Sequence, residues 1–172
     1  DIDGDGDLDL VVGNNAQPNR VYVNDGSGNF TVSTQALGAN NTQSVALADI
    51  DGDGDLDLVA GNFGEANRAY VNDGMGTFTV STQALGTNDT TSVALADIDG
   101  DGDLDLVAGN FGQANRVYTN DGSGSFTDST QALGANFTRS VALADIDDDG
   151  DLDLVAGNLG QANRVYLNQT NP

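Results

Sequence analysis

Short apolar runs alternate with polar turns along the whole chain. In residues 44–91 these runs are five to seven residues long, are rich in Val, Leu, Tyr, Phe and Thr, and are bounded by Gly, Asn and Asp. Runs of that length and composition, separated by turn-forming residues, predict β-strands. The predicted strands a, b, c and d cover residues 44–48, 56–62, 67–72 and 77–81.

The turns between the predicted strands differ in their chemistry. Asn72-Asp73-Gly74 separates strands c and d, and the Asp-Gly pair predicts a hairpin with a primed turn, in which these residues have positive φ. Strands a and b are joined by a strongly acidic loop, and strands b and c by the short turn 63–66. Residues 83–91 connect strand d to the next strand a.

The same arrangement returns every 48 residues. Residues 49–96 and 97–144 differ at only nine of 48 positions. A period of 40 to 50 residues with four short strands is typical of β-propeller blades. We therefore expect an all-β fold of β-propeller blades, each with four antiparallel strands, that is part of a larger propeller or repeat assembly.

The repeat boundaries divide the chain into one repeat region, 1–172, with incomplete units at both ends. It begins with Asp inside a loop and contains no leader or long apolar span, so we read it as a processed or partial chain. Because native proteins avoid unpaired strand edges, either a longer chain or neighbouring copies would complete the end units. The expected units, with fourteen strands, are a partial blade 1–43, blades 44–91 and 92–139, and a partial blade 140–172.

The acidic loop places a carboxylate at every odd position. In residues 49–57 the sequence reads D-I-D-G-D-G-D-L-D. Five carboxylates in one turn repel one another, and a folded loop of this kind requires a cation. Asp at positions 1, 3 and 5 with Gly at position 6 is a Ca²⁺-loop pattern. The alternative is a solvated acidic turn without an ion.

Each position of the loop has an expected role. Positions 1, 3 and 5 each supply one carboxylate oxygen, and Gly54 makes a left-handed bend at position 6. Position 7 offers its backbone carbonyl, with its side chain in solvent, and position 9 is a bidentate ligand. We expect one Ca²⁺ per loop, up to four. The candidate ligands are Asp1, Asp3, Asp5, Asp7, Asp9, Asp49, Asp51, Asp53, Asp55, Asp57, Asp97, Asp99, Asp101, Asp103, Asp105, Asp145, Asp147, Asp149, Asp151 and Asp153.

A family resemblance rests on two phrases that recur in the repeats. Residues 96–110 read A-D-I-D-G-D-G-D-L-D-L-V-A-G-N, and residues 115–127 fit N-R-V-Y-x-N-D-G-x-G-x-F-T. The chain resembles the FG-GAP repeats of the VCBS type, relatives of the integrin alpha-subunit head. The resemblance implies propeller blades with a Ca²⁺ loop between the first and second strands. Such repeats occur in adhesins, lectin-like proteins and enzyme accessory domains.

The charge of the chain limits its partners. The net charge is −22, with five arginines and no lysine or histidine. Nucleic acid and anionic membrane surfaces need a basic patch, so we expect neither nucleic-acid binding nor membrane insertion. Four bound Ca²⁺ would leave a net charge of about −14. Extracellular calcium modules bind at roughly 10⁻⁴ to 10⁻³ M, which predicts an extracellular or cell-surface location.

Catalysis is not expected of this chain. His, Cys and Lys are all absent, which removes the usual general bases and the thiol and amine nucleophiles. Asp89, Asp128 and Asp148 lie outside the repeated pattern at unrelated positions, so they do not form a predictable carboxylate pair.

Two other residue types recur once per repeat. We expect each arginine to pair with a carboxylate or a backbone carbonyl, with sugar or anion binding as the alternative. We expect the tyrosines to pack between blades. Tryptophan is absent, which argues against a sugar-stacking face. The residues are Arg20, Arg68, Arg116 and Arg164, with Tyr22, Tyr70, Tyr118 and Tyr166.

Three Asn-X-Thr triplets recur in the connectors. They begin at Asn40, Asn88 and Asn136, and their middle residue changes from repeat to repeat. They are candidate N-glycosylation sites, and the alternative is an Asn/Thr-rich turn copied by duplication.

These features predict a non-catalytic extracellular module that binds calcium and serves adhesion or carbohydrate or protein binding. The alternatives are a structural repeat of an extracellular, glycosylated fibre or coat, and an accessory domain of a larger secreted enzyme. The expected partners are a polysaccharide or protein ligand and other copies of the chain or further repeats of it.

Overall fold

The structure, a computed structural model, describes residues 1–169. Within those residues it contains 14 β-strands and no helix, and therefore no helix that could span a membrane. The strands form four antiparallel sheets of three, four, four and three strands, and each sheet is built from consecutive strands. The prediction of an all-β repeat fold is confirmed. Residues 170–172 of the expected last unit lie outside the described residues.

The strand order follows the prediction, with b-c-d first, a-b-c-d twice, and a-b-c last. Strand a begins two residues earlier than predicted, and strand d is shorter. The first two sheets contain β1 (Leu10–Val12), β2 (Arg20–Asn24), β3 (Phe30–Val32), β4 (Thr42–Ala48), β5 (Asp57–Asn62), β6 (Arg68–Asn72) and β7 (Phe78–Val80). The last two contain β8 (Thr90–Ala96), β9 (Asp105–Asn110), β10 (Arg116–Asn120), β11 (Phe126–Asp128), β12 (Thr138–Ala144), β13 (Asp153–Asn158) and β14 (Arg164–Tyr166).

The register places the acidic loops at one end of the strands. Ala48 pairs with Asp57, so the loop closes the hairpin between β4 and β5. Thr42 pairs with Asn62 at the other end of the same two strands. The turn 63–67 therefore lies at the opposite end of the sheet from the acidic loop. The same relation holds in the third sheet, where Ala96 pairs with Asp105.

The core lies between successive sheets. Every residue of β5 is buried, because one face of the strand packs against the preceding sheet and the other against the following sheet. Leu58 belongs to a cluster with Val21 of the first sheet, and Val59 to a cluster with Leu106 of the third. This burial on both faces explains the continuous apolar run in strand b. The four sheets are stacked in chain order, and closure into a propeller stays a prediction.

Strands β4, β8 and β12 contact one another in succession along this stack. The adjacent sheets leave little room for side chains on strands a and b. A Cβ added at Gly61 would lie 2.7 Å from Val93 Cγ1 of the next sheet. The small residues of strands a and b therefore allow the sheets to approach closely.

The hairpin between β6 and β7 is not the predicted primed turn, because Gly74 has a positive φ of 74° but Asp73 does not have a positive φ. Asn72 pairs with Phe78, which leaves the five-residue loop 73–77. The Asp73 carboxylate accepts hydrogen bonds from two backbone N–H groups inside this loop, at 3.0 Å each. These bonds, led by the one from Thr77, hold the pKa of Asp73 below its usual value. The prediction is wrong because the side chain of Asp73 closes a longer turn.

The recurring arginines and tyrosines take the expected structural roles. Arg68 Nη1 donates a hydrogen bond to the Gln83 carbonyl oxygen at 3.1 Å, and Arg20 and Arg116 make the equivalent bond to Gln35 and Gln131. Tyr70 and Tyr118 are only 3% and 4% exposed and lie in the clusters between sheets. Pairing with a carbonyl and packing between sheets are thus confirmed at these residues.

Candidate metal centre

The first aspartate of each acidic loop shapes the loop backbone. Asp49 Oδ1 accepts a hydrogen bond from Gly52 N at 2.7 Å, and its Oδ2 accepts one from Gly54 N at 3.0 Å. Gly54 has φ of 97°, a conformation that glycine adopts without steric cost. The first and third loops contain the same two bonds. The glycines thus allow the chain to wind around a common point.

Three carboxylates converge in every loop. Within each group the carboxylate oxygens lie within 4.8 Å of one another. Oxygens that bind one Ca²⁺ at 2.3 to 2.6 Å are themselves separated by about 3 to 5 Å, so the spacing fits a single cation. The groups are Asp1, Asp3 and Asp5; Asp49, Asp51 and Asp53; Asp97, Asp99 and Asp101; and Asp145, Asp147 and Asp153.

Two of these groups contain a carboxylate oxygen without a partner. Asp3 Oδ1 and Asp51 Oδ1 are buried and accept no hydrogen bond from any residue within 1–169. Burial is the main cause that raises the pKa of Asp51, and the charges of Asp53 and Asp49 add to it. A buried ionised oxygen is costly unless it is compensated. The position-3 oxygen is therefore placed where a cation would satisfy it, and the all-oxygen donor set suits a hard cation.

The closing aspartate at position 9 has a structural role that the sequence did not reveal. Asp57 is fully buried; its Oδ2 accepts a hydrogen bond from Ile50 N at 3.0 Å and its Oδ1 accepts one from Asn72 N at 2.8 Å. Asp105 makes the equivalent pair of bonds. Position 9, the first residue of β5 and β9, thus joins its own loop to the end of the next strand, β6 or β10. Its bidentate role stays a prediction.

The position-7 side chain does not extend into solvent. A Cβ added at Gly74 would lie 2.3 Å from Asp55 Oδ2, so the carboxylate lies against the backbone of the neighbouring hairpin. Asp7 and Asp103 lie in the same way against Gly26 and Gly122. The expectation of a free side chain is wrong because the β6–β7 hairpin and its equivalents fold over this part of the loop.

An asparagine in each repeat links the loop of one sheet to the next sheet. Asn120 Nδ2 donates to Ile50 O of the preceding loop at 2.8 Å and to Leu104 O of its own loop at 3.1 Å. Asn72 and Asn168 make the equivalent inter-repeat bonds to Ile2 and Ile98. Sequence reasoning missed this contact, although the asparagine recurs in every Tyr-X-Asn triplet.

The threonines of the Asn-X-Thr triplets are buried. Thr90 Oγ1 donates a hydrogen bond to Asn110 Oδ1 at 2.8 Å and accepts one from Asn67 Nδ2 at 3.1 Å. Thr42 and Thr138 donate in the same way. The recurrence of threonine thus has a structural reason of its own. Glycosylation of Asn40, Asn88 and Asn136 stays a prediction.

Cation binding at these loops should weaken as the pH falls. Burial raises the pKa of Asp51, Asp57, Asp99 and Asp105. A cation needs these carboxylates ionised, so its affinity should drop as the pH falls through the raised pKa values. Calorimetric titrations with calcium at about pH 7.5 and about pH 5 would measure the loss, and equal affinities at both would contradict it.

The cation-free protein should show the opposite dependence. At these four carboxylates the native state takes up protons more readily than the unfolded chain, whose aspartates titrate near pH 3.9. Their contribution to the free energy of unfolding without a cation should therefore be largest below that pH and decrease as the pH rises through the raised pKa values. Urea denaturation in EDTA across the same pH range is the control.

Comparison with protein families identifies the repeat. The FG-GAP-like repeat model matches residues 1–60, 49–108 and 97–156, and the chain belongs to this family. No curated protein sequence matches the chain.

Two solved structures resemble the fold. The computationally designed Ika4 protein is 13% identical, with a TM-score of 0.61 over 92% of this chain and 84% of that chain. The V. cholerae biofilm matrix protein Bap1 is 23% identical, with a TM-score of 0.55 over 91% of this chain. The match spans only 23% of Bap1. At these identities, both comparisons concern the fold alone.

Proposed function

We propose that the chain is a non-catalytic calcium-binding module of an extracellular or cell-surface protein, with sheets that form β-propeller blades. The observation that carries the proposal is the convergence of three carboxylates in every loop, with buried oxygens of Asp3 and Asp51 that have no partner. Membership of the FG-GAP-like family and the fold likeness to a biofilm matrix protein support the extracellular location. The module serves adhesion by binding a polysaccharide or a protein.

Calcium is the ion that suits these loops best. All candidate ligands are oxygens, and the chain contains no Cys or His that would favour a softer metal. Mg²⁺ requires near-ideal octahedral geometry at 2.0 to 2.1 Å and keeps several waters, whereas Ca²⁺ accepts six to eight ligands in flexible geometry. A loop with five carboxylates matches the larger ion.

Calorimetric titration with calcium tests the proposal. We expect one ion in each of the four acidic loops, and three ions in the variant Asp51→Ala, which removes a position-3 ligand. Magnesium should bind at least about tenfold more weakly because of its stricter geometry. The absence of binding up to about 10 mM calcium, well above the range of extracellular modules, would exclude the calcium function.

The near-identity of the repeats favours a second candidate, a structural subunit of an extracellular fibre or coat. A binding face needs loops that differ or one pocket per repeat, whereas a structural array needs sameness, and residues 49–96 and 97–144 differ at only nine positions. Light scattering of the native protein separates the two. Discrete particles would count against the fibre, and long threads would support it.

A further inference from the structure

The few differences between repeats are not spread evenly. Phe137 and Arg139 replace Asp89 and Thr91 of the preceding repeat, and both lie next to Phe111. The backbone is the same at the two places, since Phe63 pairs with Asp89 as Phe111 pairs with Phe137. The junction where Phe111 pairs with Phe137 therefore has different side chains from the preceding junction but the same backbone pairing.

The new side chains extend an aromatic cluster at the surface. The rings of Phe111 and Phe137 are stacked, with centroids 4.7 Å apart and an interplanar angle of 20°. Phe63 lies 6.5 Å from Phe111 in a tilted arrangement. Phe137 is 42% exposed, although it is a large apolar side chain. We call Phe63, Phe111, Phe137 and Arg139 the aromatic platform.

Arg139 is held in place without using its hydrogen-bond donors. Its guanidinium carbon lies 4.5 Å from the centroid of the Phe111 ring, and the residue is exposed. Among the described residues it makes no hydrogen bond or ion pair, whereas Arg68 and Arg116 each donate to a carbonyl. A cation–π contact positions the guanidinium and leaves its N–H donors free to bind a carboxylate.

The platform is well separated from the acidic loops. Arg139 is the second residue of β12, and the fourth acidic loop begins after the last residue of this seven-residue strand. Seven residues of strand extend about 20 Å, which exceeds the Debye length of about 8 Å at physiological salt. The negative charge of the loops is therefore largely screened here, and an anionic group can approach Arg139.

We propose that the aromatic platform binds a pyranose sugar that carries a carboxylate, of the uronic acid class. Phe137 takes the stacking role of the tryptophan that this chain lacks: the apolar C–H face of the sugar packs on its exposed ring, and the sugar carboxylate accepts two hydrogen bonds from Arg139. Three rings and one guanidinium form a much smaller surface than the roughly 800 Å² per partner of a protein interface, but they suit one sugar ring. The proposal rests on the proposed binding function, because it names the ligand class and its site.

The repeats supply a matched loss-of-function variant. Phe137→Asp combined with Arg139→Thr copies the Asp89 and Thr91 chemistry onto a junction whose backbone is the same, so the fold is retained. In NMR titrations with methyl glucuronide, this variant should bind about tenfold more weakly or not at all. Arg139→Lys keeps the positive charge but loses the paired N–H donors of the guanidinium. This variant should bind methyl glucuronide several-fold more weakly. An unchanged affinity in the double variant would overturn the proposal.

The reciprocal variant should gain a site. Asp89→Phe combined with Thr91→Arg places the same pair beside Phe63, which already occupies the position equivalent to Phe111. We expect two binding sites for methyl glucuronide, with a new set of shifted signals from the backbone at positions 89 and 91. If this variant gained no second site, an aromatic ring and an arginine beside the phenylalanine that recurs in the repeats would not be sufficient to bind the sugar.

Two further probes define the ligand class. Methyl glucoside, which lacks the carboxylate, should bind about tenfold more weakly than methyl glucuronide. Equal affinities would overturn the role of Arg139. Hippurate, an aromatic carboxylate that resembles a peptide end, should also bind more weakly, and tighter hippurate binding would point to a protein ligand and overturn the sugar assignment.

All of these titrations use calcium-saturated protein, and each variant is also titrated with calcium. Absence of glucuronide binding in the parent protein with four calcium ions bound would contradict the platform alone. Glucuronide binding in a protein that takes up no calcium would contradict the calcium function alone.

Discussion

Chelation with EDTA should lower the melting temperature of this protein by tens of degrees. Extracellular calcium loops have Kd values of roughly 10⁻⁴ to 10⁻³ M, so about 10 mM calcium is about 10 to 100 times Kd. Each site then adds about 1.4 to 2.7 kcal/mol to the free energy of unfolding, and four sites add about 6 to 11 kcal/mol. That sum is comparable with the whole stability of a typical domain, about 5 to 15 kcal/mol.

Melting curves followed by circular dichroism in calcium, in EDTA and in EDTA with excess magnesium measure this effect. For a chain of this size each kcal/mol corresponds to about 2 to 4 °C, so the expected shift is about 10 to 40 °C. Magnesium should restore only a small part of it. A melting temperature that is the same in calcium and EDTA would show that the acidic loops fold without an ion.

Replacing Asp57 should be harmful with or without calcium, whereas replacing Asp51 should be harmful only with calcium. Asp57→Ala removes the acceptor for two buried backbone N–H groups, those of Ile50 and Asn72. Each unsatisfied group costs about 1 to 3 kcal/mol, so we expect a loss of about 2 to 6 kcal/mol even in EDTA.

Asp51→Ala acts through the ion alone. In calcium it removes one ligand and should cost most of the contribution of one site, about 1.4 to 2.7 kcal/mol. In EDTA it removes a buried oxygen without a partner and a charge beside Asp53, which both raise the pKa of Asp51. The variant should therefore be as stable as the parent protein in EDTA, or more stable.

Urea denaturation of both variants in calcium and in EDTA distinguishes the two roles. Asp57→Asn is the matched control, because it keeps one acceptor oxygen and should lose only part of the stability that Asp57→Ala loses. If Asp51→Ala were as harmful as Asp57→Ala in EDTA, the position-3 carboxylate would be part of the fold and not a ligand held for an ion.

Much of the fold could be predicted because the same sequence pattern recurs in every repeat. The run of strand b, Leu58-Val59-Ala60, and the acidic loop before it recur every 48 residues, so strand order and sheet composition follow from spacing alone. The need for a cation in the loop could also be predicted, because like charges at alternate positions of one turn must be compensated by an opposite charge. The converging carboxylates lie where this argument placed them.

Two other features were missed, one a local side-chain bond and the other a contact between distant residues. The Asp73-Gly74 pair predicted a primed turn, but the Asp73 side chain accepts bonds from Met75 N and Thr77 N and closes a five-residue loop. Asn120 contacts Ile50, which is 70 residues earlier in the chain. The Asn and Asp residues that make these contacts recur in the sequence, but only the structure shows which residues they contact.

The sequence by itself determined that this chain is an all-β repeat whose turns gather acidic oxygens, because periodicity and charge are local properties. The tertiary structure decided how the repeats are joined. The sheets bury both faces of strand b, an asparagine links each loop to the next sheet, and Phe111, Phe137 and Arg139 meet at one junction. These contacts join residues of different repeats, and near-identical repeats give no sequence signal for which copy contacts which.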